Sequence, residues 1–226
     1  MIFGDLKVIV HSCEETEMSG IFISLEGGEG AGKSTQIPVL SEFLKVKGYD
    51  TLCLREPGGT PCAEKMREIL KEKRSDDKLC DSAELLLMYA SRAQLTRTVI
   101  IPALKAGKAV LCDRYDLSTI AYQGGGRGLS MDEIRAVRKV AIGDFKPDLT
   151  LLFDLDVDTG MERARARGSA DRFESLGTDF FERVRGTFLS EQKADPERIR
   201  IIDASLPRDK VSAMAEEIIC KRFGLR

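Results

Sequence analysis

Five short apolar runs punctuate the chain. One opens the stretch Ile21 to Thr35, and the others are Thr51 to Leu54, Ala109 to Cys112, Leu149 to Leu155 and Ile199 to Asp203. Each is too short for a helix and nearly continuous in its apolar character, as expected of strands buried on both faces. Between them the spacing becomes helical. The pattern predicts a helix from about Gly32 to Lys47 with Gly48 as its terminating glycine, and others over Ala63 to Lys73 and Ser82 to Ala106. Pro38 predicts a kink in the first of these, or tolerance through nearness to the first turn, and Pro102 predicts a bend or interruption in the third. The segment from Ser118 to Leu129 reads as a lead-in through the glycines of GGGRG. Ser130 and Glu133 form a capping-box pattern for a helix ending near Gly143, and Thr178 to Lys193 and Arg208 to Phe223 read as helices. Strands alternating with helices predict an α/β fold with a parallel sheet covered on both faces.

Composition narrows this to a single α/β domain over residues 20–226. The chain has 226 residues, 42% hydrophobic and 32% charged, which suits one well-buried core with a small mobile insertion. Residues 1–19 read as an extension, a tail or an added edge segment, and make a poor signal peptide because Asp5 and Lys7 interrupt their apolar part. No apolar run approaches the roughly 20 residues a membrane helix needs, so no membrane partner is expected. A net charge of −2 argues against a nucleic-acid binder that works by general attraction. The six cysteines are scattered without a C-x-x-C pair, which predicts reduced thiols and a cytoplasmic protein. His11 is the only histidine, so chemistry built on a histidine base or on histidine-rich metal sites is nearly excluded.

The chemistry concentrates at the end of the first apolar run. Gly27-Gly28-Glu29-Gly30-Ala31-Gly32-Lys33-Ser34-Thr35 fits G-x-x-x-x-G-K-[ST], a cradle whose backbone N–H groups and following helix N-terminus receive a polyphosphate. In such a cradle Lys33 reaches the β- and γ-phosphates and Ser34 holds Mg²⁺. Further charges follow the other strands: Glu56 after the second, Asp113 and Arg114 after the third, and an arginine cluster after the fourth. In a parallel sheet these strand ends share one edge, where ligands sit. On a helix Arg163 and Arg167 would share a face, with Arg165 nearly opposite. Two readings of that cluster stand side by side: a lid over approximately 158–176 that closes on phosphates, or an exposed basic helix balanced by Glu162.

Over essentially residues 20–223 the chain resembles thymidylate kinase of the bacterial type, through EGGEGAGKST, REPGGT, DRYDLSTIAYQGGGRG and RARARG in that order. The resemblance implies a P-loop nucleoside monophosphate kinase fold with a five-stranded parallel sheet and a small lid, commonly as a homodimer. It implies transfer of the ATP γ-phosphate to dTMP, giving dTDP, with Mg²⁺. An acceptor that is already an anionic phosphate needs no strong base, which suits the scarcity of histidine. Carried onto this chain, Lys33 and Ser34 look like ATP-phosphate and Mg²⁺ contacts, and Glu29 like the acidic residue facing the deoxyribose 3′-hydroxyl. Glu56 resembles a residue of the acceptor and Mg²⁺ region. Arg114 resembles the arginine on the acceptor phosphate, with Asp113 near the metal. Arg67, Arg92, Thr119 and Gln123 resemble the residues around dTMP, Arg92 and Gln123 being the base readers, and Tyr122 resembles the ring that crowds the sugar 2′ position. With Gly30 after Glu29 and no arginine in the phosphate loop, the resemblance assigns the catalytic arginine to Arg163, Arg165 or Arg167.

One position departs from the family pattern: Met88 stands where a phenylalanine usually stacks on thymine. A thioether packs on a ring but orients it less, so thymine-over-uracil preference is the weaker expectation. The competing readings are another monophosphate kinase, or a P-loop switch that signals through conformation. A guanine-nucleotide switch calls for N-K-x-D, and the nearest tract, Gln192-Lys193-Ala194-Asp195, lacks the asparagine.

Overall fold

A computed structural model describes residues 20–72, 77–166 and 176–226. The extension 1–19, with His11, and Arg167 together with most of the expected lid's second half lie outside the described residues.

The first apolar run is strand β1 (Ile21–Gly27), followed by helix α1 (Lys33–Val46), strand β2 (Thr51–Arg55) and helix α2 (Pro61–Lys71). Then come α3 (Asp81–Leu95), a π-helical turn over Thr96–Ile100, α4 (Ile101–Lys105) and β3 (Ala109–Asp113). A short α5 (Asp116–Thr119) runs into a second π-helical segment, Ile120–Gly126, before α6 (Met131–Ile142). The chain closes with β4 (Leu149–Asp154), α7 (Val157–Arg165), α8 (Thr178–Ala194), β5 (Ile199–Asp203) and α9 (Arg208–Phe223).

The five strands form one parallel sheet in the order β2-β3-β1-β4-β5. Strand β1 is central, and its flanking neighbours β3 and β4 carry the chain to opposite sides. This is the reversal of strand order beside which open α/β sheets bind ligands. One core lies between the sheet and α1 and α9, built on Ile23, Leu25, Leu40, Leu44 and Phe153. On the opposite face Phe22, Val110 and Tyr115 pack against α3, α4 and α6, and a further cluster holds α8 through Phe180, Val184 and Phe188. Strands β1, β3 and β4 are buried as their composition predicts. The edge strands β2 and β5 are only partly covered, and Cys53 on β2 is exposed.

Of the two outcomes expected at Pro38, tolerance is the one seen: helix α1 continues unbroken across it. The expected interruption near Pro102 is the π-turn immediately before it: proline has no N–H to donate, and the widened turn absorbs the mismatch. The glycine-rich lead-in after Ser118 is helical, and its glycines allow α8 to approach. A Cβ on Gly125 would overlap the Thr187 side chain, and one on Gly126 the Phe180 ring. The Ser130 hydroxyl makes no capping bond; the first turn of α6 closes through Ile134 N–H to the Ser130 carbonyl at 3.0 Å. Capping by side chain occurs instead at Thr60, which accepts from Ala63 N–H, and at Asp156, which accepts from Thr159 N–H.

Candidate active site

A cleft of about 540 Å³ opens over the carboxyl ends of β1, β2 and β3. The phosphate loop forms its floor through Glu29, Gly30, Ala31, Gly32, Lys33 and Ser34, whereas Gly27 and Gly28 lie behind the loop against β4 and α7. Thr35 is exposed on the first turn of α1. Lys33 is buried and donates to the carbonyls of Gly27 at 2.9 Å and Gly28 at 2.7 Å, so the loop folds around its own lysine. Burial and the nearby Arg114 charge push that ammonium down to about 8.

The end of β3 supplies the next groups. Ser34 Oγ donates to Asp113 Oδ2 at 2.5 Å, bringing two hard oxygen donors together beside the loop. The next residue, Arg114, has φ of 70°, a left-handed conformation that is uncommon outside glycine and clusters at functional sites. Its N–H is held by the Leu25 carbonyl at 2.9 Å. Its guanidinium donates to the Gly27 carbonyl at 2.9 Å, to Ser118 Oγ at 3.2 Å and to Glu29 Oε1 at 2.7 Å. Tyr122 donates to the same Glu29 oxygen at 2.8 Å and lies under the Arg114 guanidinium, 4.9 Å from centroid to carbon. Glu29, Arg114 and Tyr122 are thus one contact group spanning the loop, β3 and the second π-helical segment.

Beneath them lies a residue that the sequence pattern does not single out. Glu26, on β1, is fully buried, and accepts from Tyr115 N–H at 2.8 Å and Ser118 Oγ at 2.5 Å. It therefore braces the turn that follows Arg114. Burial, opposed by those hydrogen bonds, raises its carboxyl to about 7. Its only advance signal is an acidic residue inside an otherwise apolar strand run.

On the far wall, Arg92 from α3 is buried. Its Nε donates to Glu56 Oε2 at 2.7 Å, and its Nη atoms donate to Thr119 Oγ1 at 3.0 Å and the Tyr115 carbonyl at 3.1 Å. Three of the five guanidinium N–H groups are committed by these bonds. Burial, against the pull of Arg92, raises Glu56 to about 7. Glu56 Oε1 is the one buried side-chain polar atom without a hydrogen bond among the described residues. Arg67 from α2 donates to the Pro57 carbonyl at 2.8 Å, and Met88 from α3 is partly buried on the wall. Arg67, Met88, Thr119 and Gln123 all border the cleft, as do Lys71 and Ser118, which the sequence reading did not name.

The arginines after β4 stand apart from this wall. Arg163 and Arg165 lie at the end of α7 and are exposed; Arg163 donates to the Ala204 carbonyl at 3.0 Å. Ala164 between them touches the cleft. Two glycines fix α7 against the loop: a Cβ on Gly30 would overlap the Gly160 carbonyl.

Magnesium takes oxygen donors and is usually bound by one or two carboxylates together with substrate phosphates. The paired oxygens of Ser34 and Asp113, with the orphaned Glu56 oxygen in the same cleft, fit that ion. No group of three His, Cys, Asp or Glu side chains able to hold a metal occurs among the described residues, so a cage made by protein alone is not the fit.

Residues 25–215 match the family model described as thymidylate kinase. A protein named thymidylate kinase from Pseudomonas savastanoi pv. phaseolicola is 50% identical over 209 residues, covering 92% of this chain and 99% of the relative. Proteins of the same name from Pseudomonas fluorescens (strain Pf0-1) and Shewanella amazonensis are each 51% identical, covering 89% and 87% of this chain and 96% and 94% of the relatives.

Proposed function

The chain belongs to the thymidylate kinase family, and from that premise we propose how its cleft divides the work of phosphorylating dTMP with ATP to give dTDP on the route to dTTP. The supporting observation is the contact group of Glu29, Arg114 and Tyr122 directly above the phosphate loop. It puts an anion-binding guanidinium, a carboxylate able to accept from a sugar hydroxyl, and a ring within one cluster.

Lys33 and the loop amides hold the ATP phosphates, and Arg114 holds the phosphate of dTMP so that its oxygen faces the γ-phosphorus in line. Glu29 receives the 3′-hydroxyl, and Tyr122 limits space beside the sugar. Thr119, Arg92, Gln123, Arg67 and Met88 enclose the nucleoside, and Glu56 acts on that wall by orienting Arg92. Ser34, Asp113 and the free oxygen of Glu56 hold Mg²⁺, which when bound neutralises charge on the phosphoryl oxygens. Arg163, Arg165 or Arg167 supplies the further positive charge on lid closure. No side chain has to abstract a proton, because the attacking oxygen is already anionic.

We further propose one domain over residues 20–226 with its lid at approximately 158–176, acting as a cytoplasmic homodimer. No helix among the described residues is long and apolar enough to cross a membrane, and the five described cysteines are unpaired. Ile69 on α2, Leu86 on α3 and Val140 on α6 are exposed on packed neighbouring helices and supply apolar surface for a second copy. Sedimentation equilibrium tests the dimer. Product analysis tests the reaction: dTDP is expected only when ATP and dTMP are both supplied, and ADP release indifferent to dTMP would refute it.

A further inference from the structure

Gln123 projects from the second π-helical segment into the cleft and is 1% exposed. Its side-chain amide can present either an acceptor or a donor to a base, and the choice decides which base edge is matched. The choice is made by a group outside the cleft. Gln123 Nε2 donates at 2.7 Å to Oε1 of Glu84, a residue of α3 that is 0% exposed. Glu84 Oε2 in turn takes Arg127 Nη2 at 3.0 Å, and the Arg127 guanidinium also lies 5.6 Å from the Phe180 ring and 3.5 Å from Asp81.

A carboxylate paired with arginine has acceptors only, so the nitrogen of the Gln123 amide must face it. The remaining oxygen, Gln123 Oε1, accepts no hydrogen bond among the described residues and is not among the sealed polar atoms. It is the polar atom Gln123 offers to the cleft.

We propose that Glu84, held by Arg127, is a positioning residue for base selection: it locks the Gln123 amide with its oxygen towards the nucleotide. An acceptor at this place matches a pyrimidine with N–H at ring position 3, as in thymine and uracil. It opposes cytosine, whose N3 carries a lone pair. The lock acts independently of the 5-methyl group, so it separates dTMP and dUMP from dCMP and leaves the thymine–uracil distinction to the wall that includes Met88. The inference rests on the dTMP-kinase reading and sharpens its substrate class.

The test compares kcat/KM for dCMP and dTMP in the wild-type protein, in Glu84→Gln and in the exchanged double variant E84Q/Q123E. An amide at position 84 can meet the Gln123 amide in either orientation, so the lock is lost. The expected result for Glu84→Gln is a KM for dTMP raised about tenfold and a dCMP-to-dTMP ratio raised about 10- to 100-fold, the cost scale of one unmatched buried polar group. In the exchanged variant the carboxylate faces the base with acceptors only, and the ratio is expected to return towards the wild-type value. A merely structural Glu84 would lower turnover of both nucleotides together, leave the ratio unchanged and gain nothing from the exchange; that result overturns the proposal. Calorimetric binding of dTMP and dCMP reads the same ratio without catalysis. If Glu84→Gln does not fold, Arg127→Gln releases the lock from its other end, and an unchanged ratio there is equally contrary. Wild-type protein that does not phosphorylate dTMP would instead defeat the underlying reading.

Discussion

Gly30 of the phosphate loop and Gly160 of α7 touch backbone to backbone: a Cβ on Gly160 would stand 2.5 Å from the Glu29 carbonyl oxygen, and one on Gly30 would overlap the Gly160 carbonyl. Gly30 also has φ of 69°, which a side chain rarely adopts. The loop therefore has no room for an arginine at this place. The helix that abuts it carries the arginines instead. Glycine inside a helix costs about 1 kcal/mol relative to alanine, so Gly160 is retained against its propensity by this contact.

Gly160→Ala is accordingly expected to be unfavourable despite its better helix propensity. Overpacking costs about 1–3 kcal/mol, and relief requires α7 to move off the loop. The expected outcome is kcat lowered tenfold or more with KM for dTMP changed less than threefold, measured by steady-state kinetics. Gly30→Arg is expected not to restore activity to a variant lacking lid arginines.

Replacing Arg163, Arg165 and Arg167 singly with alanine should identify the group that reaches the transferred phosphoryl. That variant is expected to lose kcat by about 10³-fold or more with little change in dTMP affinity, the scale of an arginine acting on transition-state charge. Near wild-type kcat in all three would remove the lid from the mechanism.

Glu26 gives a pH signature. Its carboxyl is held at about 7 in the folded protein against an ordinary 4.5. Between these values the folded chain keeps a proton that the unfolded chain releases, so raising pH across the window favours unfolding. The group costs the fold on the order of 3 kcal/mol by the upper end. Glu26→Gln resembles the protonated form, so urea melts from pH 5 to 8 should show wild-type stability falling relative to the variant. Parallel curves would contradict the assignment.

Asp113→Asn removes the charge beside Ser34 while keeping the size of the side chain. The expected effect is a Mg²⁺ concentration for half-maximal activity raised about tenfold or more, read by titrating the ion in a coupled assay at saturating ATP. Superimposable titrations would place the ion elsewhere.

The parallel sheet was legible because each strand is a short apolar run, and the loop because its glycines, lysine and serine have fixed spacing. Glu56 and Arg114 were reachable because they follow strands whose ends share an edge, whereas Tyr122 came only from the family resemblance. Glu26, Glu84 and Arg127 were not. Their work depends on partners distant in sequence: Glu84 meets Gln123 and Arg127 across two helical segments, and nothing in local spacing announces that contact. The role of the glycine run after Ser118 was hidden for a related reason. Glycine there signals the approach of α8, which only the folded chain reveals. Nothing in the sequence around Gly160 announces its contact with the loop.

The most direct measurement is ATP-dependent ADP release with dTMP, dUMP, UMP, CMP, AMP and GMP under identical conditions. The account predicts the highest kcat/KM for dTMP, with dUMP next and the others far lower. Equal or better turnover of any other nucleotide, or slow ATP hydrolysis that no acceptor accelerates, would contradict it.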